Sequence, residues 1–189
     1  PTMHGDMVND VLRASLASLA DRGVEILTPR RGAGKANIPE VDTLVAHVIR
    51  SVRRRQPGAL NGRSILVTGG ATPVAIDSVR QLTNRFSGAT AVRIAQSLWQ
   101  RGANVSLLLG GAAVAAPAWL STQRVADFDA YSAACMSSEV DTGVFSAAVA
   151  DYRPRTPSPG KLASGVKDFV VELEPTHKVI DAWHARFPD

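Results

Sequence analysis

Residues 65–88 read ILVTGGATPVAIDSVRQLTNRFSG, and this stretch decides the fold. It opens as a short apolar, β-branched run without alternation, the pattern of a strand covered on both faces. The run ends at Gly69 and Gly70, whose permissive backbone suits a tight turn. A strand entering such a turn belongs at the carboxyl edge of a parallel sheet, where open α/β folds bind ligands. At the other end of the stretch, Asn84, Arg85, Ser87 and Gly88 crowd donors ahead of a helix marked by Ala91, Val92, Ile94, Ala95, Leu98 and Trp99. The free N–H groups and dipole of a helix N-terminus favour an anion, so a phosphate or carboxylate fits there. The plainer alternative is that Asn84 or Ser87 only caps the helix.

Outward from this stretch the pattern repeats. NVSLLL (104–109), TQRVA (122–126) and GVFSAAVA (143–150) are further short apolar runs separated by helical segments, as parallel strands with crossover helices would be. The expected fold class is α/β, Rossmann-like and three-layered, with a mainly parallel sheet. PRTPSPG (154–160) reads as an irregular loop, DFVVELE (168–174) as a strand and 177–187 as a terminal helix. Upstream, Val8, Val11, Leu12, Leu16 and Leu19 recur at helical spacing, Val24–Thr28 reads as a short strand, and Val41 to Val52 carries a second helical stripe. RRRQPGALNGR (53–63), with Pro57, Gly58, Asn61 and Gly62, is the best linker. The expected domains are therefore 1–52, a linker at 53–63, and 64–189.

The composition excludes several classes. Hydrophobic residues make up 45% and aromatics 5% of the 189, which argues against disorder and against a stacking surface for single-stranded nucleic acid. The net charge of +4 suits a pocket for phosphorylated small molecules as well as it suits a polyanion, and Arg53–Arg55 read as solvated surface; no nucleic-acid partner is expected. Cys135 is the only cysteine, so no disulfide forms within the chain and a reducing cytoplasm is the expected compartment. With no basic neighbours to activate it, Cys135 reads as a small buried residue. No apolar stretch reaches the roughly 18–20 residues of a membrane span, and no metal is expected on protein ligands, since His177 and His184 lack an accompanying carboxylate pattern. The chain begins at Pro1 and stops at Asp189, and both ends read as cut.

The residues of the opening stretch resemble the phosphopantothenate–cysteine ligases. Gly70-Ala71-Thr72, Ile76-Asp77-Ser78-Val79-Arg80 and Thr83-Asn84-Arg85-Phe86-Ser87-Gly88 follow that family's pattern with its spacing, and AAVADYRP (147–154) resembles its strand ending in an aspartate. The resemblance implies a ligase of coenzyme A biosynthesis that activates the carboxylate of 4′-phosphopantothenate with CTP, or ATP in some relatives, releases pyrophosphate and lets cysteine attack the acyl-nucleotide. It implies catalytic roles for Asn84 and Lys161, with Asn84 holding the intermediate and Lys161 reaching the phosphates from a Gly/Pro-rich loop. Nucleotide contacts are implied for Gly69, Gly70, Ser87, Gly88, Phe145, Ser146, Ala147, Asp151, Lys161, His177, Lys178, Val179 and Ile180, and substrate contacts for Asn84 and Arg85. It further implies Mg²⁺ held mainly by phosphates and a homodimer or higher homo-oligomer.

The chain departs from the family at Ala89-Thr90-Ala91, where lysine-methionine-glycine is usual, at Pro73-Val74 in place of arginine-glutamate, and at Ala163-Ser164, where a further lysine is usual. PTMHGDM (1–7) and KANIPEVDTL (35–44) resemble the end of the flavin-dependent phosphopantothenoylcysteine decarboxylases, which precede the ligase in bifunctional chains. Most of such a domain, with its FMN, would be missing, so no decarboxylase activity is expected. Two rivals remain open. A non-catalytic nucleotide-binding relative accords with the replaced lysines. A short-chain dehydrogenase accords with ILVTGGAT, but the third glycine of a dinucleotide turn is absent and neither Tyr131 nor Tyr152 is followed four residues later by lysine.

Overall fold

The computed structural model describes residues 3–32, 34–111, 114–165 and 167–187. Pro1 and Thr2 of the PTMHGDM stretch, and the terminal Asp189, lie outside them. The chain divides into two compact units, Pro1–Ile49 and Arg50–Asp189.

The first unit pairs β1 (Met3–His4), β2 (Arg30–Gly32) and β3 (Lys35–Asn37) in an antiparallel sheet of order β1-β3-β2. It also holds α1 (Asp10–Asp21) and begins α2 (Val41–Arg54). Asn9 caps α1 by accepting the N–H of Leu12 at 3.0 Å. The expected strand at Val24–Thr28 does not form. Pro29 lacks the N–H that would extend the ladder upstream, so pairing starts at Arg30, opposite Asn37.

The second unit carries the parallel sheet. Its strands are β4 (Ser64–Gly69), β7 (Asn104–Gly110), β8 (Ser121–Val125) and β9 (Thr142–Phe145), in the order β8-β7-β4-β9 with every pairing parallel. Between β4 and β7 the chain makes a small antiparallel hairpin, β5 (Val74–Ala75) with β6 (Gln81–Leu82), and then α3 (Ala89–Gln100). α4 (Phe128–Met136) links β8 to β9, and β10 (Tyr152–Pro154), β11 (Leu173–Pro175) and α5 (Val179–Arg186) complete the chain. The strand expected over 168–174 is confined to β11, which pairs antiparallel with β10. Residues 168–172 are exposed or half-exposed and lie outside any ladder.

Helices cover both faces of the sheet, as the continuous burial of Ile65–Gly69 in β4 and Leu107–Gly110 in β7 requires. Successive strand residues point to opposite faces. Thr68 receives the hydroxyl of Tyr131 from α4 at 3.1 Å, while its neighbour Gly69 lies against Ala91 of α3. Leu66, Leu108, Val125, Phe128, Tyr131 and Cys135 form the core on the α4 side. This is the Rossmann-like three-layer arrangement. The connection from β8 to β9 passes to the other side of β4, so the switch point of the topology lies between β4 and β9.

Segment 50–63 is tied to this second unit. Buried Arg50 donates to the carbonyls of Trp99 and Ala103 and lies 4.4 Å from the Trp99 ring centroid. Gly62 N–H donates to Gly102 O at 3.2 Å, and Asn104 N–H donates to Arg63 O at 2.7 Å.

Candidate functional site

Beyond its last ladder residue, β9 continues as an extended segment alongside the turn that follows β4. Ser146 donates to Thr68 O through both its N–H (3.2 Å) and its hydroxyl (2.6 Å), and Ala148 N–H donates to Gly70 O at 2.8 Å. Buried Thr72 completes the seam, accepting the N–H of Ala150 at 2.9 Å on its hydroxyl oxygen. Each bond satisfies a main-chain group that would be costly to bury unpaired.

This fixed segment forms one wall of a cavity of about 420 Å³ lined by Asn84, Tyr131, Phe145, Ala147–Asp151 and Thr176–Ile180. The volume falls in the range of small-molecule sites. Asn84 stands at the rim, its Nδ2 donating to Ala148 O and Val149 O, both at 3.2 Å. The opposite rim is the entry to α5. Thr176 fastens it, its N–H donating to Asp151 O at 2.9 Å and its hydroxyl to Ala150 O at 2.5 Å. His177 Nε2 lies 3.0 Å from Ser132 Oγ and its ring meets Phe128 edge-on. Phe145 meets Trp183 of α5 in the same way, at 5.2 Å between centroids.

Among the described residues the site carries one ion pair. Lys178 Nζ contacts Asp151 Oδ1 at 2.5 Å, and this hydrogen bond, with the carboxylate's charge, raises the lysine's pKa. Burial pushes the Cys135 thiol up to about 11 and raises the Tyr131 hydroxyl further still, so neither is ionised at neutral pH. Among the described residues no group of three or more His, Cys, Asp or Glu side chains could hold a metal ion, and Asp151 is the single carboxylate of the cavity lining.

The cavity thus brings together eight residues expected from the sequence: Asn84, Phe145, Ala147, Asp151, His177, Lys178, Val179 and Ile180. Others lie outside its lining. Gly69 and Gly70 are packed against the neighbouring main chain, and a Cβ on Gly70, at φ +79°, would sit 2.3 Å from Gly110 O. Gly88, also at positive φ, is the N-cap of α3 and abuts Gly70. Ser87 Oγ accepts the N–H of Ala89 at 3.4 Å, while Arg85 and Lys161 are exposed. Asn84 does not cap α3. Sequence reasoning missed the roles of Thr72, Tyr131 and Thr176, and of Asp77, a buried carboxylate beside the Lys161 loop. The threonine after the glycine pair was the one available signal for Thr72.

In chemical terms, the lining offers aromatic and aliphatic side chains, main-chain groups, the Asn84 amide and the start of α5. Such a site suits a small molecule with a planar polar ring.

Comparison with known proteins gives a consistent picture. Residues 60–186 match the family described as DNA/pantothenate metabolism flavoprotein C-terminal domain. The chain is 34% identical over 187 residues to the coenzyme A biosynthesis bifunctional protein CoaBC of Thermococcus kodakarensis, covering 96% of this chain and 45% of that protein. It is 36% identical over 171 residues to CoaBC of Vibrio vulnificus, covering 86% of this chain and 42% of that protein. The chain therefore spans less than half the length of these curated relatives. Among solved structures, the C-terminal domain of CoaBC is similar, with TM-score 0.59 and 32% identity over 70% of this chain and 63% of that one. The resemblance read from residues 65–88 and 147–154 points the same way.

Proposed function

The chain belongs to the DNA/pantothenate metabolism flavoprotein C-terminal domain family, and on that premise we propose that residues 64–189 carry the ligase site of a coenzyme A biosynthesis protein. The observation that carries this reading is the cavity itself, because Asn84, the 145–151 segment and the 176–180 turn converge on one space although far apart in the chain.

The reaction joins 4′-phosphopantothenate to cysteine. A carboxylate oxygen of 4′-phosphopantothenate attacks the α-phosphorus of CTP, or of ATP, and pyrophosphate leaves. The amine of cysteine then attacks the acyl carbon of the acyl-nucleotide, loses a proton, and the nucleoside monophosphate leaves. The nucleobase lies in the cavity against Phe145, Ala147 and the main chain to Asp151, with His177, Lys178, Val179 and Ile180 on the facing side. The phosphates run past Asn84 toward Ser87 and Gly88, where α3 begins. Gly69 and Gly70 contribute by letting the chain close beneath them.

Bringing a carboxylate to a polyphosphate sets two anions against each other, so oriented donors and a cation must offset the repulsion. Lys161 supplies the cation. Asn84 holds the acyl-nucleotide with a neutral amide that does not compete as a nucleophile, and Arg85 faces the substrate phosphate. A Mg²⁺ ion would be carried chiefly by the nucleotide phosphates and would supply charge neutralisation there; Asp151, paired with Lys178, is not assigned as its ligand. Residues 1–52 are, in this reading, the closing part of a flavin decarboxylase domain whose FMN belongs to the remainder of that domain. The protein acts as a homo-oligomer in the cytoplasm. Among the described residues no helix is long and apolar enough to cross a membrane.

The test is pyrophosphate release by the full-length parent protein with CTP or ATP and 4′-phosphopantothenate, with and without cysteine. Release that requires 4′-phosphopantothenate is expected, and Asn84→Ala lowers product turnover about a hundredfold while the protein remains folded. Nucleotide binding without any pyrophosphate release would instead identify a non-catalytic relative.

A further inference from the structure

The turn between β5 and β6 is built around one carboxylate. Asp77 is only 4% exposed. Its Oδ1 accepts the N–H groups of Val79 (2.8 Å) and Arg80 (2.6 Å), which closes the turn locally. Its Oδ2 accepts the Arg80 guanidinium at 2.6 Å and, from much later in the chain, the N–H of Leu162 at 3.1 Å. Leu162 directly follows Lys161.

Further contacts fasten the same loop to the same turn. Arg80 donates to Leu162 O at 3.4 Å and lies 5.7 Å from the Phe169 ring centroid, and Ser158 N–H donates to Ile76 O at 3.0 Å. The main chain is thus held before and after Lys161, although the lysine itself is exposed. Burial opposes the charge on Asp77, but its main-chain donors and Arg80 hold the pKa down at about 2. The turn therefore presents a permanent anion to the loop. It also leads into Asn84, four residues after Arg80.

From this juxtaposition we propose that Asp77 is a positioning residue for Lys161, fixing the main chain at Leu162 so that the lysine extends from a set point relative to Asn84. The proposal rests on the role given to Lys161 under Proposed function. A flexible lysine stabilises developing charge only when its cation is held near the reacting atoms, and small displacements of positioned groups cost large factors in rate.

Two variants of the full-length parent protein test it. Asp77→Asn keeps the size of the side chain and removes its charge. Leu162→Pro removes the N–H that the loop donates and leaves the donors of the 77–80 turn in place. Each lowers kcat about tenfold with KM for 4′-phosphopantothenate unchanged. In a Lys161→Ala background neither lowers kcat further, because the group they position is gone. Losses that multiply with Lys161→Ala, or a Leu162→Pro protein with full kcat, would overturn the proposal. Hydrogen exchange reads the tether without the reaction: the Leu162 amide exchanges about tenfold faster in Asp77→Asn. Unchanged exchange would overturn the tether even if Lys161 proves essential. Faster exchange together with full turnover of Lys161→Ala would remove the catalytic role of Lys161, and the positioning role with it.

Discussion

The carboxyl ends of β4 and β9 lie side by side in one parallel sheet, yet one is closed and the other open. At the end of β4, a Cβ on Gly69 or Gly70 would come within 2.2 Å of Ala91 or 2.3 Å of Gly110, and one on Gly88 would press on Gly70 at 3.0 Å. Beyond β9, a segment with the small side chains of Ser146–Ala148 runs along a cavity, held in place by Thr68, Gly70 and Thr72. The closed end sets the main-chain course that makes the open end possible. Glycines in a strand-to-helix turn thus mark close approach of backbone to backbone here, and the cavity lies one strand away, at the switch point of the topology.

Substituting the closed end should have the largest effect. Gly70→Ala combines a left-handed backbone with a Cβ 2.3 Å from Gly110 O, and urea unfolding is expected to show a loss of about 3 kcal/mol or more. A midpoint like that of the wild type would mean that the turn has slack and that the contrast with β9 is overdrawn.

Thr72→Val tests the seam between the two ends. The change keeps the shape of the side chain and leaves the Ala150 N–H without its acceptor, at a cost of about 1–3 kcal/mol in unfolding. Nucleotide affinity should weaken in parallel, because the same segment forms the cavity wall.

Acid titration separates the anchoring turn from both strand ends. The pKa of Asp77 is held at about 2 in the folded chain, below the 3.8 of an unperturbed aspartate. The unfolded chain therefore binds more protons as pH falls between about 4 and 2. The stability that Asp77 contributes is fully present above that window and is lost as pH falls through it. The wild type should lose more stability across the window than Asp77→Asn; parallel curves would contradict the anchoring role.

The smallest structural effect belongs to the open rim. Asp151 and Lys178 form an exposed pair, with side chains 62% and 64% exposed, and such pairs add little to stability. Asp151→Asn should leave the unfolding midpoint where it is while weakening nucleotide binding, as calorimetric titration would read. The reverse pattern would assign the pair to the fold.

Much of the closed end was legible in the sequence, because its signals are local. An unbroken apolar run followed by glycines, then a helical stripe ending at Gly102, yields β4, the turn and α3 from neighbouring residues alone. The open end was legible only in part. Asn84, Asp151 and the 177–180 turn were expected through a family pattern, whereas Thr72 and Asp77 act on partners 78 and 85 residues away, and no local periodicity encodes such pairs. The same limit explains the misread strands. Val24–Thr28 has β-branched residues but no partner edge, and of the later run only Leu173 and Glu174 find one in β10. Propensity describes what a segment tolerates, and the ladder depends on what lies beside it.

The most direct measurement is the structure of the full-length parent protein bound to CTP or a non-hydrolysable analogue. The account predicts the base inside the cavity formed by 145–151 and 176–180, with Asn84 turned toward the nucleotide. A nucleotide lying against the β4 glycine turn, with that cavity unfilled, would contradict it.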